Sequence, residues 1–391
     1  MARRYLKEFA GQTRPRLRDV VAFLTHDAGF ARVRRLLRVA EWVSEPQRML
    51  PVAAAAAWGV PEIASVGALT EWLGVRPEEL EWFADLKDFN RRSGVGKLGH
   101  YTYRVLEKTS GGVRLIEAPK GRLKEMQRRI LAGILEQVPA HEAVHGFVKG
   151  RSIRTFAAPH VGRRVVLRMD LRDFFPTFRA ARVAAFFRTM GYPETVAARL
   201  AGLCTNAVPA RVWAGREVAW ETRQMYRRAH LPQGAPTSPA LANAMAFRLD
   251  CRLSGWARAA GAAYTRYADD LAFSGDAEFA RGVERFAVHA MAVAMEEGFD
   301  VHARKTRVMR QGVRQRLAGL VVNERVNVAR EEFDRLKAVL TNCVRHGAAS
   351  QNRNGHAAFR EHLLGRVGFV ESVNAGRGKK LRGIFERIVW E

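Results

Sequence analysis

Two short apolar strings in this chain run into carboxylates, and this restricts how either can be buried. Val165-Val166-Leu167-Arg168-Met169 has the length and β-branched content of a buried strand, and it leads directly into Asp170-Leu171-Arg172-Asp173-Phe174-Phe175. Residues 263–274 read as strand, tight turn, strand, with Tyr267-Ala268-Asp269-Asp270-Leu271 across the turn. Both acidic groups therefore fall where strands end. Adjacent acids at a hairpin tip repel each other unless something cationic binds them.

These acids sit in the most basic part of a basic chain. The 391 residues carry 65 Lys plus Arg against 39 Asp plus Glu, a net charge of +26, and residues 96–323 alone account for +18. Such a surface seeks a polyanion. All but 11 of the basic residues are Arg, whose planar fork suits phosphate and can stack on bases; a GC-rich genome's codon bias also produces that ratio, but not the uneven net charge. With 48% hydrophobic residues the composition is that of a globular protein, not a disordered basic tail.

Cys204, Cys251 and Cys343 lie far apart with no His or Cys at metal-ligand spacing, so neither a disulfide framework nor a zinc site is suggested, which suits a reducing cytoplasm. The N-terminus lacks an apolar export leader and no run of 18 apolar residues occurs, so a cytoplasmic protein without membrane spans is expected.

Along the chain, residues 15–60 and 65–86 read as helices, and Gly74-Val75-Arg76-Pro77 marks a turn between two of them. A DNA-reading helix-turn-helix would fit that turn, but the near-neutral charge argues against it. Residues 101–105 and 113–118 alternate around Gly111-Gly112 as a β-hairpin. Helices are expected over 123–135, 176–190 and 279–297, the last ended by Gly298, with a strand over 317–322 and helices over 331–391 broken at 346–355.

Magnesium takes oxygen ligands and usually bridges carboxylates to substrate phosphates. A strand-end Asp facing a hairpin-tip Asp can hold two such ions about 4 Å apart, the arrangement of two-metal nucleotidyl transfer. Between the acidic segments lies Leu231-Pro232-Gln233-Gly234-Ala235-Pro236-Thr237-Ser238-Pro239, a loop made rigid by its prolines.

Together these strings resemble reverse transcriptases, most closely the bacterial retron-type enzymes. The order matches over 96–325: Arg114-Leu115-Ile116-Glu117-Ala118-Pro119-Lys120, His145-Gly146-Phe147, the Asp170 strand, the Leu-Pro-Gln-Gly loop, the Tyr-x-Asp-Asp hairpin, Lys305-Thr306 and Gly319-Leu320-Val321-Val322-Asn323. The resemblance implies an α/β (α+β) right-hand polymerase with fingers, an antiparallel-sheet palm and a helical thumb, preceded by a helical N-terminal extension. The expected divisions are 1–95 for the extension, 96–164 for the fingers, 165–325 for the palm with a fingers insertion at about 178–230, and 326–391 for the thumb.

By the same resemblance, Asp170, Asp269 and Asp270 would ligate two Mg²⁺ and Lys305 would protonate leaving pyrophosphate. Arg114, Arg122, Lys124 and Gln233 would meet the incoming deoxynucleoside triphosphate, and Phe175 would exclude a ribose 2′-hydroxyl. Tyr267 and Gly319 would lie near primer and template, while Arg377, Lys379, Lys380 and Arg382 in a Gly-containing stretch would grip RNA. Asp173 is expected to be a hydrogen-bonding carboxylate, and His145 and His160 to be structural.

The resemblance further implies a cognate non-coding RNA as template and 2′-hydroxyl primer, an RNA–DNA hybrid product, and antiphage defence with a separate effector. The chain departs from retron enzymes at Phe156, where Asn is common before Ala157, and at Ala318, where Thr is common. A defence reverse transcriptase outside the retrons, protein-primed or template-independent, is the alternative, and a non-catalytic RNA-binding scaffold the other. The short stretch after Asn323 disfavours an intron-encoded enzyme.

Overall fold

A computed structural model describes residues 2–10, 17–38, 47–93, 98–107 and 112–390. It divides into two compact units, residues 1–47 and 48–391. In the first, helices Ala2–Glu8, Leu17–His26 and Ala28–Val33 are held by a ring cluster of Tyr5, Phe9 and Phe23 and by an Arg4–Asp27 ion pair.

The second unit is organised by its strands. Strands β1 (Tyr101–Glu107) and β2 (Val113–Pro119) form the expected antiparallel hairpin, its Gly111 lying outside the described residues. Strands β3 (Val165–Asp170), β4 (Ala263–Tyr267), β5 (Asp270–Gly275) and β6 (Arg307–Arg310) make an antiparallel sheet in the order β4-β5-β3-β6. Strand β3 is central, and its two faces serve different cores because side chains alternate along a strand. Val165, Leu167 and Met169, with Leu271 and Phe273 of β5, join a large core that includes helices Phe247–Ala259 and Ala277–Glu296. Val166 and Ala272 face the other way, into a second core with Phe156 and the C-terminal helices Arg330–His346, Phe359–Val373 and Ala375–Phe385. Arg168, Asp170 and Asp270 share the parity of this second face.

Three expected elements differ. Residues 176–190 are not one helix but a single turn, Phe174–Thr177, followed by Ala180–Thr189. The break at Phe178 arises because its ring is buried and its backbone turns to pair with another segment: Leu231 N–H donates to Phe178 O at 3.0 Å, and Ala180 N–H to Ala229 O at 3.0 Å. Residues 317–322 form a tight hairpin instead of one strand, with β7 (Arg316–Leu317) and β8 (Leu320–Val321) joined by Ala318 and Gly319 at φ 46° and 84°, and β9 (Asn327–Val328) beside β8. Two successive positive φ values suit a two-residue hairpin turn. Between 47 and 60 the only helical turn is Ala53–Ala55, since Leu50 and Val52 N–H groups donate to Gly191 and Thr189 carbonyls and so stay extended.

The helices Val66–Leu73 and Pro77–Ala84 form as expected, capped by Ser65 and ended by left-handed Gly74. They bury Leu69, Leu73, Leu80 and Ala84 in the large core, and the second helix carries Glu78, Glu79 and Glu81. That acidic face is unsuited to reading DNA.

The ion pair of Arg266 and Asp250 is wholly buried. Arg266 on β4 donates from Nε and Nη2 to the two oxygens of Asp250, each at 2.7 Å, and both side chains are shielded from solvent. Its Nη1 donates to Asn243 Oδ1 and Ala268 O, both at 3.1 Å, and Tyr264 Oη donates to Asp250 at 2.8 Å. Removing one member leaves a buried charge without its partner, so Asp250→Ala should lose about 3–5 kcal/mol of stability. Replacing the pair together, Asp250→Leu with Arg266→Met, should recover much of that loss. Urea melts of both variants check this; equal losses would mean that the uncompensated charge is not what destabilises.

Candidate active site

Strands β3 and β5 pair so that Asp170 and Asp270 are directly opposite. Residues opposite one another on antiparallel strands present side chains to the same face, so both carboxylates project together. Asp269 lies beside them in the β4–β5 turn, where Ala268 takes φ 54°. The turn is fixed from two sides, by the Arg266 bond to Ala268 O and by Gly146, where a Cβ would come within 2.6 Å of Ala268 N.

Two cations answer the carboxylates. Lys305 Nζ donates to both Asp170 oxygens at 3.0 Å, and Arg168 donates from Nε and Nη2 to Asp270 Oδ1 at 2.9 and 2.7 Å. Among the described residues no cation bonds Asp269: burial, then repulsion from Asp270 and Asp170, pushes its carboxyl up to about 6, with Lys305 opposing. Burial also raises Asp270, with the Arg168 guanidinium opposing the shift. Among the described residues no three His, Cys, Asp or Glu side chains converge as a ready-made metal set, and Asp170 and Asp270 are each engaged by a cation, Lys305 and Arg168. The donor chemistry nevertheless fits a hard divalent ion: carboxylate oxygens only, largely buried and mutually repelling.

The carboxylates face a cavity of about 980 Å³ whose walls also carry Lys305, Arg114, Phe175, Gln233 and Tyr267. Gln233 is placed by its loop: Glu117 N–H donates to Gln233 O at 2.9 Å, and the next residue, Gly234, has φ +131° and would bring a Cβ to 3.0 Å from Glu117 O, a tight contact. Beneath the loop, Glu117 Oε1 lies 3.0 Å from His230 Nε2, and Asn206 Nδ2 donates to Glu117 Oε2 at 2.7 Å, all three side chains being buried.

Arg122, Lys124 and Gly319 do not line the cavity. Arg122 donates to Glu79 and to Gly74 O, both at 3.3 Å, so its guanidinium is committed to the Val66–Ala84 helix pair, and Lys124 on the same helix does not line the cavity. Gly319 provides the positive φ of the β7–β8 turn, and its neighbour Ala318 is the one that reaches the cavity wall. Arg377 donates to Asn327 Oδ1 and Val328 O and lies 5.0 Å over the Phe333 ring, while Arg382 pairs with Glu371. Both tie the C-terminal helices together. Of that quartet Lys379 and Lys380 are exposed.

The sequence reading missed Arg168, Phe147, Glu117 and His230. Glu117 was detectable, since Leu115, Glu117 and Pro119 share the buried phase of β2 and an acid is out of place there. Arg168 carried the signal of standing two residues before Asp170 on the same strand face. Phe156, where retron enzymes commonly have Asn, is fully buried with its ring 5.8 Å from that of Tyr267.

The comparisons with known proteins agree with this geometry. A family model described as reverse transcriptase (RNA-dependent DNA polymerase) matches residues 106–334. The retron Mx65 reverse transcriptase of Myxococcus xanthus is 43% identical over 334 residues, covering 84% of this chain and 69% of that protein. The chain belongs to the retron-type reverse transcriptases. The retron Mx162 enzyme of the same organism is 38% identical over 335 residues, covering 82% of this chain and 66% of that protein. The Escherichia coli retron Ec86 enzyme is 29% identical over 286 residues, covering 72% and 79%. The chain thus spans about two thirds of the length of the two Myxococcus relatives. Reverse transcriptases are RNA-directed DNA polymerases that generally use divalent metal ions, and the mixed helix and antiparallel-sheet architecture is theirs. No helix among the described residues is long and apolar enough to cross a membrane.

His160 lies under the site sheet, with Nδ1 2.7 Å from Ser274 Oγ and Nε2 2.8 Å from Thr265 Oγ1. Burial, helped by Arg163 and His145, lowers it from 6.5 to about 3. The unfolded chain therefore binds a proton that the folded chain refuses, and stability falls as pH drops from about 6.5 towards about 3, by up to ~1.4 kcal/mol per pH unit. His160→Gln should flatten that acid limb by up to one proton. Denaturant melts between pH 6 and pH 4 check it; an unchanged slope would mean that His160 takes up its proton while folded.

Proposed function

We propose that this enzyme copies a cognate structured non-coding RNA into single-stranded DNA, priming from an internal ribose 2′-hydroxyl and yielding an RNA–DNA hybrid used in antiphage defence with a separate effector. What supports the polymerase part is the Asp170–Asp270 register with Asp269 beside it, opening on a cavity that also holds Arg114, Gln233 and Phe175. The retron part rests on family membership and on the names of the relatives. The divisions into extension, fingers, palm and thumb, and a cytoplasmic location, belong to the same proposal.

In this reading Asp170, Asp269 and Asp270 hold two Mg²⁺, which would activate the primer hydroxyl and stabilise leaving pyrophosphate. Arg114 meets the triphosphate and Gln233 supports the base pair being formed. Phe175, packed on Phe174 with ring centroids 5.6 Å apart, closes the floor beneath the sugar. Lys305 is 3.0 Å from Asp170 and delivers its proton from Nζ to the leaving oxygen. Lys379 and Lys380 contribute backbone contacts to the RNA.

Asp269→Asn with Asp270→Asn should abolish extension of a primed RNA template while leaving folding and RNA binding nearly intact. More than a trace of synthesis by a well-folded double variant overturns the metal assignment. The decisive measurement for the retron part is sequencing of the nucleic acid that copurifies from the host, where a discrete RNA–DNA hybrid is expected. Phe175→Val should admit ribonucleotides, shifting relative kcat/KM by at least about tenfold in single-nucleotide incorporation. Unchanged sugar selectivity with measurable deoxynucleotide incorporation would reduce Phe175 to a packing residue.

A further inference from the structure

Strain in this chain gathers at the cavity. Among the described residues six that are not glycine have positive φ, and four of them, Phe147, Asp173, Ala268 and Ala318, line the cavity that holds the aspartates. A bulky residue in that region is an outlier, because its Cβ crowds the backbone, and such strain persists only where the surroundings over-determine it. Phe147, at φ 59°, is the one large side chain of the six.

The backbone leading into it is pinned. His145 N–H donates to Arg266 O at 2.8 Å, Arg266 N–H donates to Ala143 O at 2.7 Å, and Asn243 Nδ2 donates to Gly146 O at 2.8 Å. Gly146 itself lies so close to the Tyr267–Ala268 backbone that no Cβ fits. The ring gains little burial from this: Phe147 stays 54% exposed. It stands 6.3 Å from the ring of Tyr267 and 6.3 Å from the ring of Phe175. An apolar ring held by a strained backbone in the wall of a cavity, in a chain of net charge +26, is built to be covered by something flat and anionic elsewhere along its length. Nucleobases and sugars of a nucleic acid meet that description.

We propose that Phe147 is a binding residue for the primer terminus, covering the last sugar and base of the primer at the junction between the Tyr267 side of the cavity and the Phe175 side. This rests on the polymerase reading, because it is Asp269 and Asp270, directly after Tyr267 and Ala268, that mark where the reacting hydroxyl lies. Template strand away from the junction does not touch this ring. Phe147 therefore acts on affinity for a primed end, and through it on the fidelity of extension from that end.

The test uses the full-length protein and two ligands, a labelled RNA template annealed to a DNA primer and the same template unprimed, with anisotropy titrations in the absence of nucleotide. Phe147→Gly is the informative variant, because glycine accepts the left-handed backbone without strain and so removes the ring while keeping the fold. Its melting temperature should be no lower than that of the native chain, whereas its affinity for the primed template should fall about tenfold, the effect of losing one aromatic–base contact. Unprimed template should bind as before, and Phe147→Tyr should restore primed binding. Extension should show a correspondingly larger loss for a primer with a mismatched 3′ end than for a matched one.

Native affinity for the primed template in a well-folded Phe147→Gly variant overturns the assignment, as does an equal loss with unprimed template. Because the titration needs no chemistry, failure of the native enzyme to extend any primer would instead defeat the polymerase reading.

Discussion

The buried pair of Asp250 and Arg266 fixes most of what the site requires. Taking two charges out of water is unfavourable unless each is fully answered, and here the guanidinium is: two bonds to Asp250, one to Asn243, one to Ala268 O, and the Phe174 ring 5.7 Å from its carbon. Each contact belongs to a different part of the active centre. Asp250 comes from the helix behind the sheet, Asn243 from the helix that follows the proline-rich loop, Ala268 from the turn between the strands, and Phe174 from the segment beyond Asp170. Once Arg266 is satisfied, the relative positions of the turn, the loop helix and the aromatic floor are no longer independent.

A second buried group does the same for the opposite wall. Glu117 receives Asn206 and faces His230, whose ring packs edge-on against Tyr226, and Tyr226 in turn lines the cavity. Asn206 extends the network to Tyr103 on β1 and to Asn90. The β1–β2 hairpin and the loop bearing Gln233 are thereby held by largely buried hydrogen bonds. Such networks rigidify a site when every member is satisfied.

What could be read from the sequence follows from the range of the forces involved. The strand and hairpin that carry the aspartates were legible because apolar runs and turn residues act locally, and the order of motifs supplied the family. The break at Phe178 was not, since it depends on a pairing with residues 229–231 that are fifty positions away. Arg122, expected at the triphosphate, and Arg377 and Arg382, expected on RNA, are each engaged by an acceptor that only the fold brings near. Phe147 was visible as a letter in a motif, but its exposure and its backbone are properties of the assembled site. Arg168 shows the same limit, its partner Asp270 being 102 residues further along.

Strand β3 gives odd-numbered residues to one core and even-numbered ones to another, with Asp170 at the end of the even series. A slip of one residue in its pairing would therefore do three things together: present Val166 to the wrong core, withdraw Leu167 and Met169 from theirs, and turn Asp170 away from Asp270. Near-miss registers that preserve a folded exterior while losing the catalytic face are thus excluded during folding itself. A chain that has packed both cores has, by the same event, checked the alignment of its carboxylates, so a well-folded but misaligned species should not accumulate.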